Sequence, residues 1–327
     1  MISRVAESCF WMQRYLARME STAHLLSTTH AFAMDSGIPP LLAWRPLVVV
    51  SGELEGFTER LGEEALGDAE KVEQDMTWSE DNAASIVTCV RWARENARQT
   101  RETISREMWD QLNSFWVWMR SADGRRIFDD DRTDFYRRCE QTAQLLRGAS
   151  EDTLLHEEAY DFMRLGLFLE RAGQTLRVLD VKYHALGPTR SGDRESAIEF
   201  AQWAEILRSC CASESFFKRR FSLTGPRVAG FLLFDRAFPR SAAFCLERAS
   251  SVLERIAGDR PVLSAQKLEN LNRELGDGDI SGWIREGLHD RLTDLIGLSA
   301  EVCDAVHADF FAAHDFREVF GVHSLEE

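Results

Sequence analysis

Proline interrupts helices, because it lacks an N–H and its ring clashes with the preceding turn. This chain has prolines at 39, 40, 46, 188, 226, 239 and 261, and none from 47 through 187. That stretch is free to form long helices, and its apolar residues recur at helical spacing. Phe162, Leu165, Leu169, Ala172, Leu176, Leu179 and Tyr183 advance by three and four. Such a seam suits packing along a second long helix. Ile2, Val5, Cys9, Met12, Leu16, Met19, Ala23 and Leu26 form another at the start of the chain.

Setting Met12 against Leu165 brings both seams into one register. Leu16, Arg18, Thr22 and Leu26 then fall on Leu169, Arg171, Thr175 and Leu179. The shared Arg-x-x-x-Thr-x-x-x-Leu reads either as an internal duplication or as a chance likeness, since leucine matches come easily between amphipathic helices. Glu170 is turned about 100° from its neighbour Arg171 on a helix. The two side chains therefore point to different partners.

The rest of the chain reads as further helices. The first runs from Ile2 to Ala33. Leu41 to Phe57 is helical around Pro46, with Leu47-Val48-Val49-Val50 as a short-strand alternative. Gly62 to Thr77 reads as irregular and acidic, and Ser79 or Asn82 as the cap of a helix over Ala83–Arg101. A helix over Glu102–Met119 ends at a turn through Asp123-Gly124. Asp129-Asp130-Asp131 opens a helix over Thr133–Leu146, where carboxylates complement the helix dipole. The central helix stops at Gly187-Pro188. Gly192 to Ser222 reads as helical, with Phe200, Trp203, Ile206, Leu207 and Cys210 inward. Helices beginning at Pro226, at Phe238-Pro239-Arg240-Ser241, at Pro261 and at Ser281 complete the chain. With no strand set, the fold class is all-α: a large multi-helix bundle, read as one domain over residues 1–327.

Charge narrows the function. Acidic residues outnumber basic ones 54 to 39, for a net charge of -15, which argues against nucleic acid or an anionic membrane as partner. Lys218-Arg219-Arg220 reads as a solvated helix face. No apolar run approaches the roughly 20 residues of a membrane span, and the N-terminus lacks a signal-peptide layout, so the expected location is cytoplasmic. Seven scattered cysteines without Cys-x-x-Cys make neither a disulfide framework nor a zinc site. They read as small buried hydrophobes. The acidic run at 129–131 lacks the ligand order of a calcium loop. Glu286-x-x-His289 and Asp304-x-x-His307 have the spacing of di-metal bundles, but both fall on one terminal helix without further carboxylate-bearing helices. No metal and no cofactor is expected.

The candidate polar residues sit in three places. Arg14 and Arg18 share a helix face and, with Glu20, Glu170 and Arg171, line an inner layer if the two long helices pair. That layer is either an anion or carboxylate clamp or a buried ionic network fixing helix register. Arg240 and Ser241 fall in the first turn of a helix, where free N–H groups favour anions; the rival reading is a simple cap with a solvated arginine. Lys182, Tyr183 and His184 end the central helix, as acid/base groups or as cations suited to its dipole.

Several stretches resemble one family along nearly the whole chain. They are Ser3-Arg4-Val5-Ala6-Glu7 with Trp11 and Arg14-Tyr15-Leu16; Ala93-Arg94-Glu95-Asn96-Ala97-Arg98; and Ser105-Arg106-Glu107-Met108-Trp109 with Leu112-Asn113. To these add Phe168-Leu169-Glu170-Arg171-Ala172 through Asp180-Val181-Lys182-Tyr183-His184, and Phe238-Pro239-Arg240-Ser241 with Phe244-Cys245-Leu246. The chain is similar to the alpha-E domain family, bacterial all-helical proteins named for a Glu-Arg motif. The resemblance implies association with circularly permuted ATP-grasp ligases and transglutaminase-like proteins, in systems that make or process peptide or amide bonds. It implies an accessory module binding such a ligase or its peptide substrate or, alternatively, a hydrolase or transferase centred on Arg18, Glu170 and Arg171. Departures from the pattern are Ala17 where the family shows Glu before Arg18, Leu167 in place of an Arg, and Gly173 in place of an acidic residue.

Overall fold

Both seams become helices, and one of them lies at the centre of the bundle. The computed structural model describes the backbone of residues 3–186, 193–276 and 279–312, with side chains apart from 182–186 and 193–199. The chain begins α1 (Ser3–Ser36), α2 (Pro40–Ser51), α3 (Leu54–Leu61), a 3-10 turn (Glu63–Gly67), α4 (Ala69–Trp78), α5 (Ile86–Gln99), α6 (Arg106–Met119), α7 (Ala122–Asp130) and α8 (Arg132–Thr153). It continues α9 (Glu158–Leu186), α10 (Asp193–Ser209), α11 (Ser213–Lys218), α12 (Gly225–Phe234), α13 (Ala242–Ala257), α14 (Leu263–Leu275), α15 (Ile280–Glu286) and α16 (Leu288–Phe310). No strand occurs among the described residues.

The long helices run side by side and parallel: Phe10 meets Gly166, Arg14 and Arg18 meet Glu170, and Glu20 meets Arg171. α13 and α16 cover other sides of α9, while α5 and α8 flank α1. From Phe162 to Leu179 the α9 seam is fully buried, as is the α1 seam from Cys9 to Leu26. α9 is buried nearly all round, its carboxylates Asp161, Glu170 and Asp180 included.

The two halves repeat the same local hydrogen bonds. Thr22 donates to the carbonyl of Ala84 at 3.4 Å, and Thr175 to that of Arg240 at 2.7 Å. The residues that follow, Ser85 and Ser241, cap α5 and α13 by accepting from Thr88 N and Phe244 N. Each capping hydroxyl also donates six residues back, Ser85 to Ser79 O and Ser241 to Asp235 O. Cys89 and Cys245, four residues beyond each cap, donate to Ala83 O and Pro239 O. α1 with α5 and α9 with α13 are thus two copies of one arrangement, which carries the shared register beyond chance leucine matches.

Elsewhere the structure corrects the sequence reading. Gly62 to Thr77 is not irregular: Asp68 caps α4, and Val72, Glu73 and Met76 are buried. Ser79 ends α4 instead of opening α5, and Asn82 is buried against Asp75. Asp123-Gly124 lies inside α7, capped by Ser121, and Gly124 is there because a Cβ would meet the Trp118 carbonyl. α8 runs past Leu146 to Thr153, through Gly148. Leu47–Val50 is helical, and Pro46 is tolerated within α2 because Leu42, whose carbonyl loses its partner, is exposed. Phe200 stays exposed, one turn before the inward stripe of Trp203, Ile206, Leu207 and Cys210. Pro239 and Arg240 precede α13 instead of entering it. The terminal helix is two, broken at Gly287 with φ of 112°. Gly187-Pro188 lies outside the described residues.

Gly166 sits where α1 and α9 approach most closely; a Cβ there would overlap the Phe10 carbonyl oxygen. Gly166→Ala is expected to destabilise by about 1–3 kcal/mol, the usual cost of overpacking. Gly148, exposed inside α8 with no atom near a built Cβ, is expected to gain about 0.8–1 kcal/mol on substitution by Ala. Thermal unfolding of both variants should move the midpoint in opposite directions.

Candidate functional site

Each long helix carries one buried carboxylate of the inner layer, and each takes arginines from elsewhere. Glu170 on α9 is 2% exposed. Arg14 Nε donates to its Oε2 at 2.9 Å, and Arg18 Nε and Nη2 donate to Oε1 and Oε2 at 2.8 and 3.0 Å. Arg177 stands further off, with Nη2 3.9 Å from Oε1. Glu20 on α1 is clasped by Arg147 of α8, whose Nη1 and Nη2 donate to Oε2 and Oε1 at 2.7 and 2.8 Å. Arg240 Nη2 lies 3.0 Å from Oε1, and Arg171 Nη2 lies 3.8 Å from Oε2. Glu170 and Arg171, adjacent in sequence, serve different carboxylates, as their rotation on the helix requires.

The two carboxylates face six arginines. Burial pushes the Glu170 and Glu20 carboxyls up, but the surrounding guanidiniums outweigh it and hold both below the usual carboxylate range. The arginines are not equally served. Burial, then the charges of Arg240 and Arg147, bring Arg171 down to about 10 despite Glu20. Burial also lowers Arg177. The Nε atoms of Arg171 and Arg177 are buried with no hydrogen-bond partner, as is Oε1 of Gln174 between them. Unmet buried polar groups of this kind are rare and costly.

Two recesses flank Gln174 and Leu25, and they correspond under the internal repeat. One is lined by Arg18, Thr22 and Ala84; the other by Arg171, Thr175 and Arg240. Arg18 matches Arg171, Thr22 matches Thr175, and Ala84 takes the place of Arg240. In the first recess Arg18 is fully engaged with Glu170. In the second, Arg171 keeps a buried Nε without a partner, beside the unpaired Gln174 oxygen, and Arg240 is paired with Glu20. That set suits a carboxylate flanked by an N–H.

The structure thus brings together Arg14, Arg18 and Glu170 in one layer, and Glu20, Arg171 and Arg240 in the next. Arg240 is not solvated: its side chain is 18% exposed and paired with Glu20. Ser241 is a cap, and its N–H belongs to the turn made with Phe238 O. Lys182, Tyr183 and His184 fall in the last turns of α9, and their side chains lie outside the described residues. Glu286 and His289 sit on different helices, and His289 Nδ1 pairs with Asp180 at 2.6 Å. His307 lies 3.8 Å from Glu7. Among the described residues no three His, Cys, Asp or Glu side chains cluster as metal ligands. Sequence reasoning missed Arg147, Gln174 and Arg177. Gln174 and Arg177 were visible as polar interruptions at i+4 and i+7 from Glu170; Arg147 had no local signal. The repeated Ser-x-x-x-Cys at Ser85 and Ser241 was also there to be read.

Residues 1–311 match a family described as Alpha-E, a predicted alpha-helical domain with a conserved ER motif. The chain is 26% identical over 324 residues to an uncharacterised protein of Mycobacterium bovis, with 92% of this chain and 36% of that protein covered. Uncharacterised proteins of two Mycobacterium tuberculosis strains match at 26% and 25%, with the same coverage. The chain therefore spans 36% of the length of these curated relatives. No solved structure matches it.

The layers separate stability from spare binding capacity. Glu170→Gln leaves Arg14, Arg18 and Arg177 buried without a counter-charge and is expected to cost about 3–5 kcal/mol, lowering the thermal midpoint by about 5 °C or more. Arg171→Met removes a poorly served charge, and its midpoint should be unchanged or raised; an equal drop in both would make Arg171 a structural ion. Because both carboxyls are depressed in the fold, their contribution is complete above the unfolded value of about 4.3 and is lost as pH falls through the folded values. Denaturant midpoints of the parent should fall in acid, and less steeply for Glu170→Gln.

Proposed function

The chain belongs to the Alpha-E family, and on that premise we propose that it is an accessory helical module of a bacterial peptide- or amide-bond-forming system. In this reading it works in the cytoplasm and binds an ATP-grasp-type ligase or that ligase's peptide substrate; a transglutaminase-like protein is a further partner. The observation that carries it is the recess at Arg171, Gln174 and Arg240, where the buried Nε of Arg171 and Oε1 of Gln174 are left without protein partners. A peptide's terminal carboxylate and the adjacent amide N–H have the matching chemistry. The relatives add support: the matching region is 36% of a longer chain, as befits a module that works beside other parts. No helix among the described residues is long and apolar enough to cross a membrane.

The Glu-Arg motif itself serves mainly as architecture here, since Glu170 is saturated by Arg14 and Arg18. The alternative, an enzyme of the same system acting on peptide or amide bonds through the Glu-Arg layer, draws on the unpaired atoms of Arg171 and Gln174. It requires ATP-independent turnover of a peptide by the isolated chain, and such turnover overturns the accessory role.

Calorimetric titration with short peptides tests the recess. Peptides with a free C-terminal carboxylate are expected to bind about tenfold or more tighter than their amidated forms, given about 1.5–3 kcal/mol for a charged hydrogen bond. Arg171→Met should erase the difference. Equal binding of acid and amide removes the carboxylate reading. Stable co-purification with an ATP-grasp protein encoded beside it is the expected sign of the partnership.

A further inference from the structure

Glu170 faces three arginines but serves two of them. Its oxygens accept from Arg14 Nε, Arg18 Nε and Arg18 Nη2 at 2.9, 2.8 and 3.0 Å. Arg177 is left over: its Nη2 stays 3.9 Å from Oε1, beyond hydrogen-bond distance. Among the described residues no other carboxylate lies within 4.0 Å of that guanidinium. Its Nε is buried without a partner. The side chain is nevertheless 31% exposed, so a small solute can reach it. Burial lowers Arg177 despite Glu170, and the charges of Arg18 and Arg14 lower it further. A second anion beside it would reverse that imbalance.

Gly173 marks where the anion fits. Glu170, Gly173 and Arg177 fall at i, i+3 and i+7 on α9 and so share a face. A Cβ built at Gly173 would stand 3.3 Å from Arg177 Nη1 and 3.8 Å from Ser299 Oγ of α16. The three heavy atoms nearest to that point all belong to these two side chains. A guanidinium only donates, and a hydroxyl can donate. The glycine thus opens a space on which two donors converge.

We propose that Arg177 and Ser299 bind a small carboxylate in the space beside Gly173. A planar carboxylate matches the fork of a guanidinium, and the Ser299 hydroxyl adds a further donor. One guanidinium without a hydrogen-bonded counter-ion calls for one negative charge. A tetrahedral dianion asks for more donors than these two side chains supply. The carboxylate belongs either to a free small acid or to the side chain of an acidic peptide. The site is separate from the recess at Arg171 and Arg240, since Arg171 turns to Glu20 and Arg177 to Glu170. The inference does not rest on peptide binding in that recess.

Thermal unfolding of the full chain tests it in sodium formate, acetate or phosphate, or with N-acetylaspartate amide. Each is compared with sodium chloride at equal ionic strength and about pH 7, where carboxylates are ionised. Arg171→Met is present throughout, so that the other recess does not contribute. Formate and acetate are expected to raise the midpoint by about 2 °C or more, and phosphate no more than chloride does. Ser299→Ala should raise the half-saturating formate concentration about threefold or more, and Arg177→Met should abolish the response. NMR of the arginine side chains gives a second reading. Formate should shift the Nε–H signal that Arg177→Met deletes. Gly173→Asp should shift it the same way without formate, and should cancel the formate response. A blocked aspartate acting like formate assigns the site to an acidic side chain; an inactive one assigns it to a free acid. A formate response no larger than that of chloride, or one that survives Arg177→Met, overturns the site. Phosphate acting as strongly as formate overturns the carboxylate assignment, and an unchanged Ser299→Ala removes Ser299 from it.

Discussion

A carboxylate buried between two parallel helices must be neutralised at one point along both, and the fold depends on that point. Glu170 meets Arg14 and Arg18 across the α1–α9 contact with three hydrogen bonds of 2.8–3.0 Å. Sliding α9 by one turn would leave all three charges buried and unpaired, at several kcal/mol. Apolar seams alone tolerate such a slip, since leucine meets leucine again one turn on. The ionic contact and the close approach at Gly166 remove that freedom. The helices packed on this pair, α5 and α8 on one member and α13 and α16 on the other, inherit its register.

The centre of the molecule has a charge opposite to the whole. The chain carries a net charge of -15, yet the described arginines around Glu20 and Glu170 outnumber the two carboxylates. Arg14, Arg18 and Arg147 are matched to oxygens and help hold the fold. Arg171 and Arg177 are desolvated with orphaned Nε atoms, which costs stability. Groups kept against their own stability mark the places where a fold has been bent toward binding. The proposed carboxylate recess rests on this local excess of positive charge.

Duplication explains how two unlike layers arose on one plan. Threonine to carbonyl, serine cap and cysteine to carbonyl recur in both halves. The charged positions then diverged. Ala17 stands where the second copy has Glu170, and Glu20, one turn further along α1, supplies the carboxylate that Arg171 faces. Ala84 stands where the second copy has Arg240. In the first recess Arg18 is held by its own ion pair, and in the second the Nε of Arg171 stays without a partner. The departures at Ala17 and Gly173 relocate a carboxylate instead of deleting a layer.

Helical class, the two long seams and their common register were determined by the sequence alone, because proline placement and three-four spacing are local properties of the chain. Turns were less legible. Asp123-Gly124 has the composition of a turn, but the approach of Trp118, not chain reversal, calls for that glycine. Gly62 to Thr77 looks irregular because the residues that bury Glu73, namely His30, Arg132 and Tyr136, come from distant helices. The candidate residues Arg14, Arg18, Glu20, Glu170, Arg171 and Arg240 were named by type and spacing, but their pairing was not. Which arginine meets which carboxylate depends on partners up to 220 positions apart, and only the packed helices set those distances. Arg147 joining Glu20, and His24 joining Glu140, are likewise decisions of the tertiary structure. Electrostatic pairing falls off over a few ångströms, and sequence separation carries no information on that scale.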